Sequence, residues 1–265
     1  MTRQFHKMHG LGNDFVILDA RSDPVAIDAA LAAALCDRRT GIGCDQLIRL
    51  SPSAVAEVRM DIWNPDGSVA EACGNASRCV VALTGAASIE TDGGVIAGAA
   101  DGEEVEVELV EPRFEWDSIP LADPVDTRPV PCGWGALEGG DAVNVGNPHI
   151  VFFVEALDAI PLETLGPVVE HDPIFPERVN VNVAEVVAGG LRLRTWERGA
   201  GATLACGTGA CASAIAAIRR GLVGSPVKVT MPGGALTIGW APGEKVRMRG
   251  SATHVFTGSI DLEAL

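Results

Sequence analysis

The sequence predicts an α+β fold of two pseudo-symmetric domains, each a strongly curved sheet or barrel wrapped around a central helix. Three observations carry this. The stretch EACGNASRC (71–79) is echoed by LACGTGACA (204–212). The echo extends upstream: VRMDIWNPDGSVAEACG (58–74) aligns without a gap on LRLRTWERGAGATLACG (191–207), setting Arg59 on Arg192, Trp63 on Trp196, Ala72 on Ala205, Cys73 on Cys206 and Gly74 on Gly207. In both copies a strand-like segment and a turn lead into a small, apolar, helix-like run.

The elements follow in order. GLGNDFVIL (10–18) resembles NVGNPHIVF (144–152), which pairs Asn13 with Asn147. CDQLIRL (44–50) lies opposite VNVNVAE (179–185), with Gln46 set opposite Asn180. VRMDIW and LRLRTW read as strands, closed by the turns NPDG (64–67) and RGAG (198–201). After each cysteine the pattern turns helical, over GNASRCVVALTGAAS (74–88) and GTGACASAIAAIRRG (207–221). Arg219 and Arg220 suit the negative C-terminal end of the second helix and Gly221 its C′ position. Its body is apolar nearly all round, so it is expected to be enclosed on most sides. Val105, Val107 and Leu109 alternate with Glu104, Glu106 and Glu108, a strand with one wet face. GEEV (102–105) matches GEKV (243–246) at a slightly larger offset. The segment 112–135 holds five prolines and little periodicity. It places the first domain at 1–113, joined by a C-terminal return at about 253–265, and the second at 114–252.

Composition narrows the function. The 265 residues are 47% hydrophobic and 21% charged, a globular composition. The net charge of −15 argues against nucleic acid or an anionic membrane as partner. The chain has neither a membrane-length apolar run nor a signal-like apolar segment at its start, so a cytoplasmic location is expected. Seven cysteines without a CxxC pair are expected to be free thiols. Their spacing, with no histidine near either pair, does not suit zinc.

Cys73 and Cys206 each stand at a helix start. Free N–H groups and the positive dipole end there favour a thiolate, which predicts a lowered pKa. The same N–H groups, made approachable by glycine, can hold a carboxylate. If the two halves face each other, one carbon can lose a proton to one sulfur and gain a proton from the other, which inverts its configuration. No Schiff-base or metal signature accompanies the pair, so no cofactor is expected.

The motifs MHGLGNDF (8–15), GIGCDQLI (41–48), NPDGSVAEACGNASRC (64–79), VGNPHIV (145–151), FPERVNV (175–181) and WERGAGATLACGTGACA (196–212) occur in one order along essentially the whole chain. In these the chain resembles the diaminopimelate epimerases of the two-cysteine, cofactor-independent racemase and epimerase superfamily. The resemblance implies that fold and the interconversion of LL- and meso-2,6-diaminopimelate, toward lysine and peptidoglycan. It implies Cys73 and Cys206 as the acid–base thiols. It implies Gly74, Asn75, Gly207 and Thr208 around the reacting carboxylate, and Asn64, Asn180 and Arg198 on the distal end. Asn13, Gln46 and Asn147 would complete the pocket. His149 and Glu197 resemble residues that tune the thiols or bind the reacting amino group. The expected partner is a small-molecule substrate, diaminopimelate, with neither nucleic acid nor membrane; a homodimer is kept open.

Two departures stand out. Ala76 and Ser77 follow Asn75 where many relatives read Gly-Ala, and Ala202, Thr203 and Leu204 stand where relatives often carry Glu-Thr-Gln. The chain also has no tyrosine, so a dimer contact built on tyrosine is absent. Two rival readings stand against this one. Proline racemisation or hydroxyproline epimerisation would leave Asn64, Asn180 and Arg198 without a role. A redox or binding module with a regulatory disulfide is disfavoured by the lack of CxxC and by the polar pocket residues. Cys36, Cys44, Cys79, Cys132 and Cys211 are expected to be small buried apolar residues, and Trp63 and Trp196 to pack in the core or at a domain interface.

Overall fold

The computed structural model describes residues 2–264. The chain divides into two compact units, 1–108 with 249–265, and 109–248. The sequence expectation set these joins at 113/114 and 252/253.

The first unit begins with β1 (Thr2–Gly10), β2 (Asn13–Asp19) and helix α1 (Ala29–Cys36). β3 (Gln46–Ser51), β4 (Val58–Trp63) and the two-residue β5 (Val69–Ala70) lead into α2 (Gly74–Thr84). β6 (Ser88–Thr91), β7 (Gly94–Asp101) and β8 (Glu104–Glu108) follow. β2 runs parallel to β3, β3 antiparallel to β4, and β4 parallel to β6. α2 packs against β1, β7 and β8 and is buried from Asn75 to Val81. Gly85 ends it at φ 71°, a left-handed cap, so the helix stops short of the expected residue 88. α1 was not foreseen: its apolar residues run all round, and Asp28 caps it by accepting from Leu31 N–H at 2.8 Å. Phe5, Val16, Leu18, Leu35, Leu47 and Trp63 form an apolar cluster of this unit.

The second unit opens with the hairpin β9 (Gly133–Trp134) and β10 (Leu137–Glu138), then β11 (Asp141–Asn144) and β12 (Pro148–Phe153). α3 (Leu162–Glu170) precedes β13 (Asn180–Val187), β14 (Gly190–Glu197) and β15 (Gly201–Thr203). α4 (Gly207–Arg219), β16 (Val227–Met231) and β17 (Gly234–Gly239) complete it. β12 runs parallel to β13, β13 antiparallel to β14, and β14 parallel to β16. β18 (Arg247–Ser251) contains the second join, and β19 (Thr253–Asp261) lies antiparallel to β1.

The duplication read in the sequence is thus a duplication of topology, down to register. Gln46 sits opposite Phe15 in the first unit as Asn180 sits opposite His149 in the second. Trp63 pairs with Leu47 as Trp196 pairs with Val181. The matched GEEV and GEKV segments both turn on a left-handed glycine, Gly102 at φ 63° and Gly243 at φ 81°.

α4 is enclosed as expected, buried from Gly209 to Ala217 and packed against β11, β12, β13, β14, β16 and β17. Gly221 adopts φ 70° beyond its end, the C′ role. Arg220 forms a two-pronged ion pair with buried Asp141, and the guanidinium of Arg219 lies over the Phe114 ring. β13 is covered on both faces. Val181 and Val183 enter the apolar cluster of this unit with Phe152, Leu162 and Phe175, while Asn180 and Asn182 occupy the alternate positions. Trp63 is buried in its own unit's cluster, and Trp196 packs against the second. Cys36, Cys44, Cys79 and Cys211 are buried; Cys132 is only half-buried.

Candidate functional site

Both cysteines occupy the N-cap of their helix, in extended backbone: Cys73 at φ −147°, ψ 113° and Cys206 at φ −115°, ψ 109°. An N-cap stands where the first turn's N–H groups lack helical partners, so Gly74 with Asn75, and Gly207 with Thr208, begin the two turns that can receive an anion.

In the first unit Cys73 is half-buried. Its carbonyl accepts from both the N–H and the hydroxyl of Ser77, each at 2.9 Å. The departure at Ser77 therefore places a hydroxyl on the N-cap carbonyl. Asn75 is buried between two partners: it donates to Asn13 Oδ1 at 3.2 Å and accepts from Arg78 Nη2 at 2.9 Å. Asn13 in turn donates to Asp45, whose other partners include Asp14 N–H and Arg38. Lys7 and Arg38 beside Asp14 hold its carboxyl well below the usual carboxylate range, against the opposing effect of burial. Gln46 donates to Asn64 Oδ1 at 3.0 Å, and Asn64 donates to Ser68 Oγ at 3.0 Å. The Gln46 Oε1 atom is buried without a protein partner, an acceptor available to a ligand's N–H groups.

In the second unit Cys206 is buried. Its Sγ accepts from Gly209 N–H at 3.3 Å and lies 3.6 Å from Thr208 Oγ1. Asn147 donates to Thr208 Oγ1 at 3.4 Å, and His149 Nε2 lies 2.8 Å from Asn147 Oδ1. Burial pushes the Cys206 thiol well up, and the negative charge of Glu197 adds to this; Thr208 and Gly209 oppose it. The sequence expectation was a lowered pKa. Desolvation wins because the sulfur is enclosed, whereas a helix-end dipole is worth on the order of 1 kcal/mol. His149 is fully buried, and burial, aided by the charge of Arg198, pushes it down to about 3, so it is neutral at physiological pH.

Asn180 is buried at the head of β13, donating to Pro148 O at 2.8 Å and accepting from Arg198 N–H at 2.9 Å. It thereby fixes the backbone of the β14–β15 turn. The Arg198 side chain is exposed and donates to Glu177 O at 3.0 Å. Glu197 accepts from Thr203 at 2.5 Å, so one departure residue serves the site's carboxylate, while Leu204 is largely exposed. Glu170, buried at the end of α3, accepts from Trp196 Nε1 at 2.7 Å and Gly199 N–H at 2.9 Å, anchoring the same turn.

Hydrogen bonds thus join Asn13 to Asn75 and Gln46 to Asn64 in the first unit, and in the second they link His149, Asn147, Thr208 and Cys206, and Asn180 to Arg198. Sequence reasoning missed Glu170, Asn182, Thr195 and Gly209. A signal for Asn182 existed: asparagine is depleted in strands, yet it stands inside the valine-rich NVNV. Among the described residues no group of three or more His, Cys, Asp or Glu is set to hold a metal ion, and no helix is long and apolar enough to cross a membrane.

The diaminopimelate epimerase family profile matches residues 5–114 and 141–255. A diaminopimelate epimerase from Rhizorhabdus wittichii is 61% identical over 267 residues, covering 100% of this chain and 97% of its own. A phenazine biosynthesis protein of the PhzF family from Enterococcus faecalis superposes with a TM-score of 0.71 at 12% identity, over 98% of this chain and 100% of that one. A probable proline racemase from Agrobacterium radiobacter superposes with a TM-score of 0.69 at 16% identity, over 98% of this chain and 93% of that one. At such identities these two structures establish the shared fold alone.

Proposed function

Since the chain belongs to the diaminopimelate epimerase family, we propose that it interconverts LL- and meso-2,6-diaminopimelate, with Cys73 and Cys206 as the two acid–base groups. The observation that carries this is the repeated setting: two cysteines, each at the N-cap of an enclosed helix, at equivalent positions of a duplicated unit. One thiolate takes the α-proton, the C–H electron pair is left delocalised into the carboxylate, and the opposite thiol returns a proton to the other face. One C–H bond breaks and one forms, and no net redox change occurs. Helix-start N–H groups stabilise the charge that grows on the carboxylate.

The enclosed Cys206, held as a thiol, suits the role of resting acid toward one epimer. Asn64, Asn180 and Arg198 are assigned to the distal amino-acid end, Asn13, Gln46 and Asn147 to the pocket, and Glu197 and His149 to the reacting amino group or the thiols. Supply of lysine and peptidoglycan precursors, a cytoplasmic location and a homodimeric assembly belong to the same reading.

The test is incubation of the pure protein with LL-diaminopimelate, without added cofactor, in deuterated water. Chiral analysis is expected to show the meso isomer, with deuterium at the inverted carbon. Absence of both inversion and α-proton exchange would overturn the reading.

A further inference from the structure

We infer that Asn182 is a positioning residue that, through a directional chain of hydrogen bonds over His149, Asn147 and Thr208, aims a hydroxyl hydrogen at the sulfur of Cys206. This rests on the proposed role of Cys206 and adds residues to that site.

The direction of every bond follows from fixed points. Ile150 O can only accept, and it lies 3.1 Å from Asn182 Nδ2; Thr195 Oγ1 donates to Asn182 Oδ1 at 3.1 Å. The amide of Asn182 is therefore oriented with Nδ2 toward Ile150 O, toward Asn180 O at 3.4 Å and toward His149 Nδ1 at 3.1 Å, and because an amide nitrogen cannot accept, the contact with His149 is donated by Asn182. His149 Nδ1 must then accept, so its proton sits on Nε2. Nε2–H points at Asn147, which must present Oδ1, at 2.8 Å. That leaves Asn147 Nδ2 to donate to Thr208 Oγ1, and the threonine hydrogen is free to turn to Cys206 Sγ at 3.6 Å. A hydrogen bond to sulfur favours the thiolate over the thiol.

The duplicated unit supplies an internal control. At the ladder positions of His149, Asn182 and Thr195, the first unit carries Phe15, Ile48 and Ile62. All six are buried. The scaffold therefore folds with an apolar trio at these positions, and the polar trio beside Cys206 is not needed to form the strands. A buried polar network is costly unless every member is satisfied. Here its members are connected, and they end at the reacting atom.

Two measurements decide the matter. Imidazole nitrogen NMR of histidine-labelled protein, assigned with His149→Gln, is expected to show His149 neutral and protonated on Nε2 from about pH 5 to pH 8. A proton on Nδ1, or titration in that range, would overturn the chain of bonds, and this holds even if the protein does not act on diaminopimelate.

The second is a mutant cycle on α-proton exchange. With the epimer whose α-proton Cys206 takes, Asn182→Leu is expected to lower kcat about tenfold, the factor of one pKa unit in thiolate fraction, with KM within about twofold. In a Thr208→Val background, where the link to sulfur is cut, the same change is expected to cost less than about twofold; in Thr208→Ser the tenfold sensitivity returns. Additive losses in the valine background would make Asn182 merely structural. Should Asn182→Leu not fold, Thr195→Val, which removes only the hydroxyl that orients the Asn182 amide, is read the same way with a drop of about threefold.

Discussion

The N–H of Gly209 donates to Sγ of Cys206 at 3.3 Å, and the space behind it is already filled. A Cβ on Gly209 would stand 2.6 Å from Asn182 Oδ1 and 3.0 Å from Thr195 Oγ1. Glycine is therefore required in the first turn of α4 by close approach. Gly209→Ala gains up to about 1 kcal/mol of helix propensity, but the clash is expected to cost about 1–3 kcal/mol. Because the shift falls on the sulfur's donor, kcat is expected to fall at least about tenfold, the effect of roughly 1.4 kcal/mol on the barrier. Thermal melts and exchange assays check both; a more stable, fully active variant would contradict the packing argument.

Removing either sulfur is expected to abolish inversion while the fold persists. Cys73→Ala and Cys206→Ala each delete one small side chain, and loss of an acid–base group costs about 100- to 10,000-fold in rate. Chiral analysis after prolonged incubation, alongside melting curves, is the check. Near-normal turnover in either variant sinks the two-thiol mechanism.

Stability is expected to fall in mild acid because of His149. Its folded pKa, about 3, lies below its ordinary 6.5, so the unfolded chain binds a proton where the folded chain does not. That contribution, on the order of a few kcal/mol, is fully present above about pH 6.5 and is lost as pH falls toward 3. Asp14, also lowered, adds a second loss only below its ordinary 3.8. The raised Cys206 acts in the opposite direction, withdrawing stability above about pH 9 as the unfolded thiol ionises. Melting temperature measured against pH should decline between 6.5 and 3, and His149→Gln should flatten that segment. An unchanged slope in the variant would contradict the assignment.

The turn that carries Arg198 is expected to set substrate choice. Glu170→Leu removes the acceptor of Trp196 Nε1 and Gly199 N–H, leaving polar groups unpaired at about 1–3 kcal/mol each. KM for diaminopimelate is expected to rise about tenfold, more than kcat falls, since the distal grip loosens while the thiols are untouched. Arg198→Lys should weaken binding as well, an ammonium being unable to form the planar fork. The Arg198 side chain is exposed, and Asn180 and Asn64 have partners within the protein, so a substrate lacking the distal group forfeits contacts rather than leaving buried groups unpaired. α-Proton exchange on proline and lysine should be far slower than on diaminopimelate; comparable exchange on proline would move the chain to a sister activity.

Much was legible in the sequence because it is locally encoded. The strand, turn, cysteine and helix of each copy lie within a few dozen residues, and their repetition makes Trp63 and Trp196, or Cys73 and Cys206, equivalent from the sequence alone. Gly221 announced the end of α4 by the same local logic, and Gly85 ends α2 likewise, although the apolar pattern past it hid the stop. α1 and α3 were illegible for different reasons: AALAAALC is apolar all round and shows no helical face, whereas LETLGPVVE buries Leu162, Gly166 and Val169 on one face but carries Pro167, which in sequence argues against a helix. What tertiary structure alone decided concerns partners distant in sequence. Glu170 reaches Gly199, Thr195 orients Asn182, and Asn182 sets the tautomer of His149 only after β12, β13 and β14 are in register. The charge state of Cys206 is the clearest case. Its helix-start position, readable in sequence, favours the thiolate, but the enclosure that raises its pKa exists only once the strands have closed around α4, because desolvation depends on everything packed about an atom and a dipole only on its own helix.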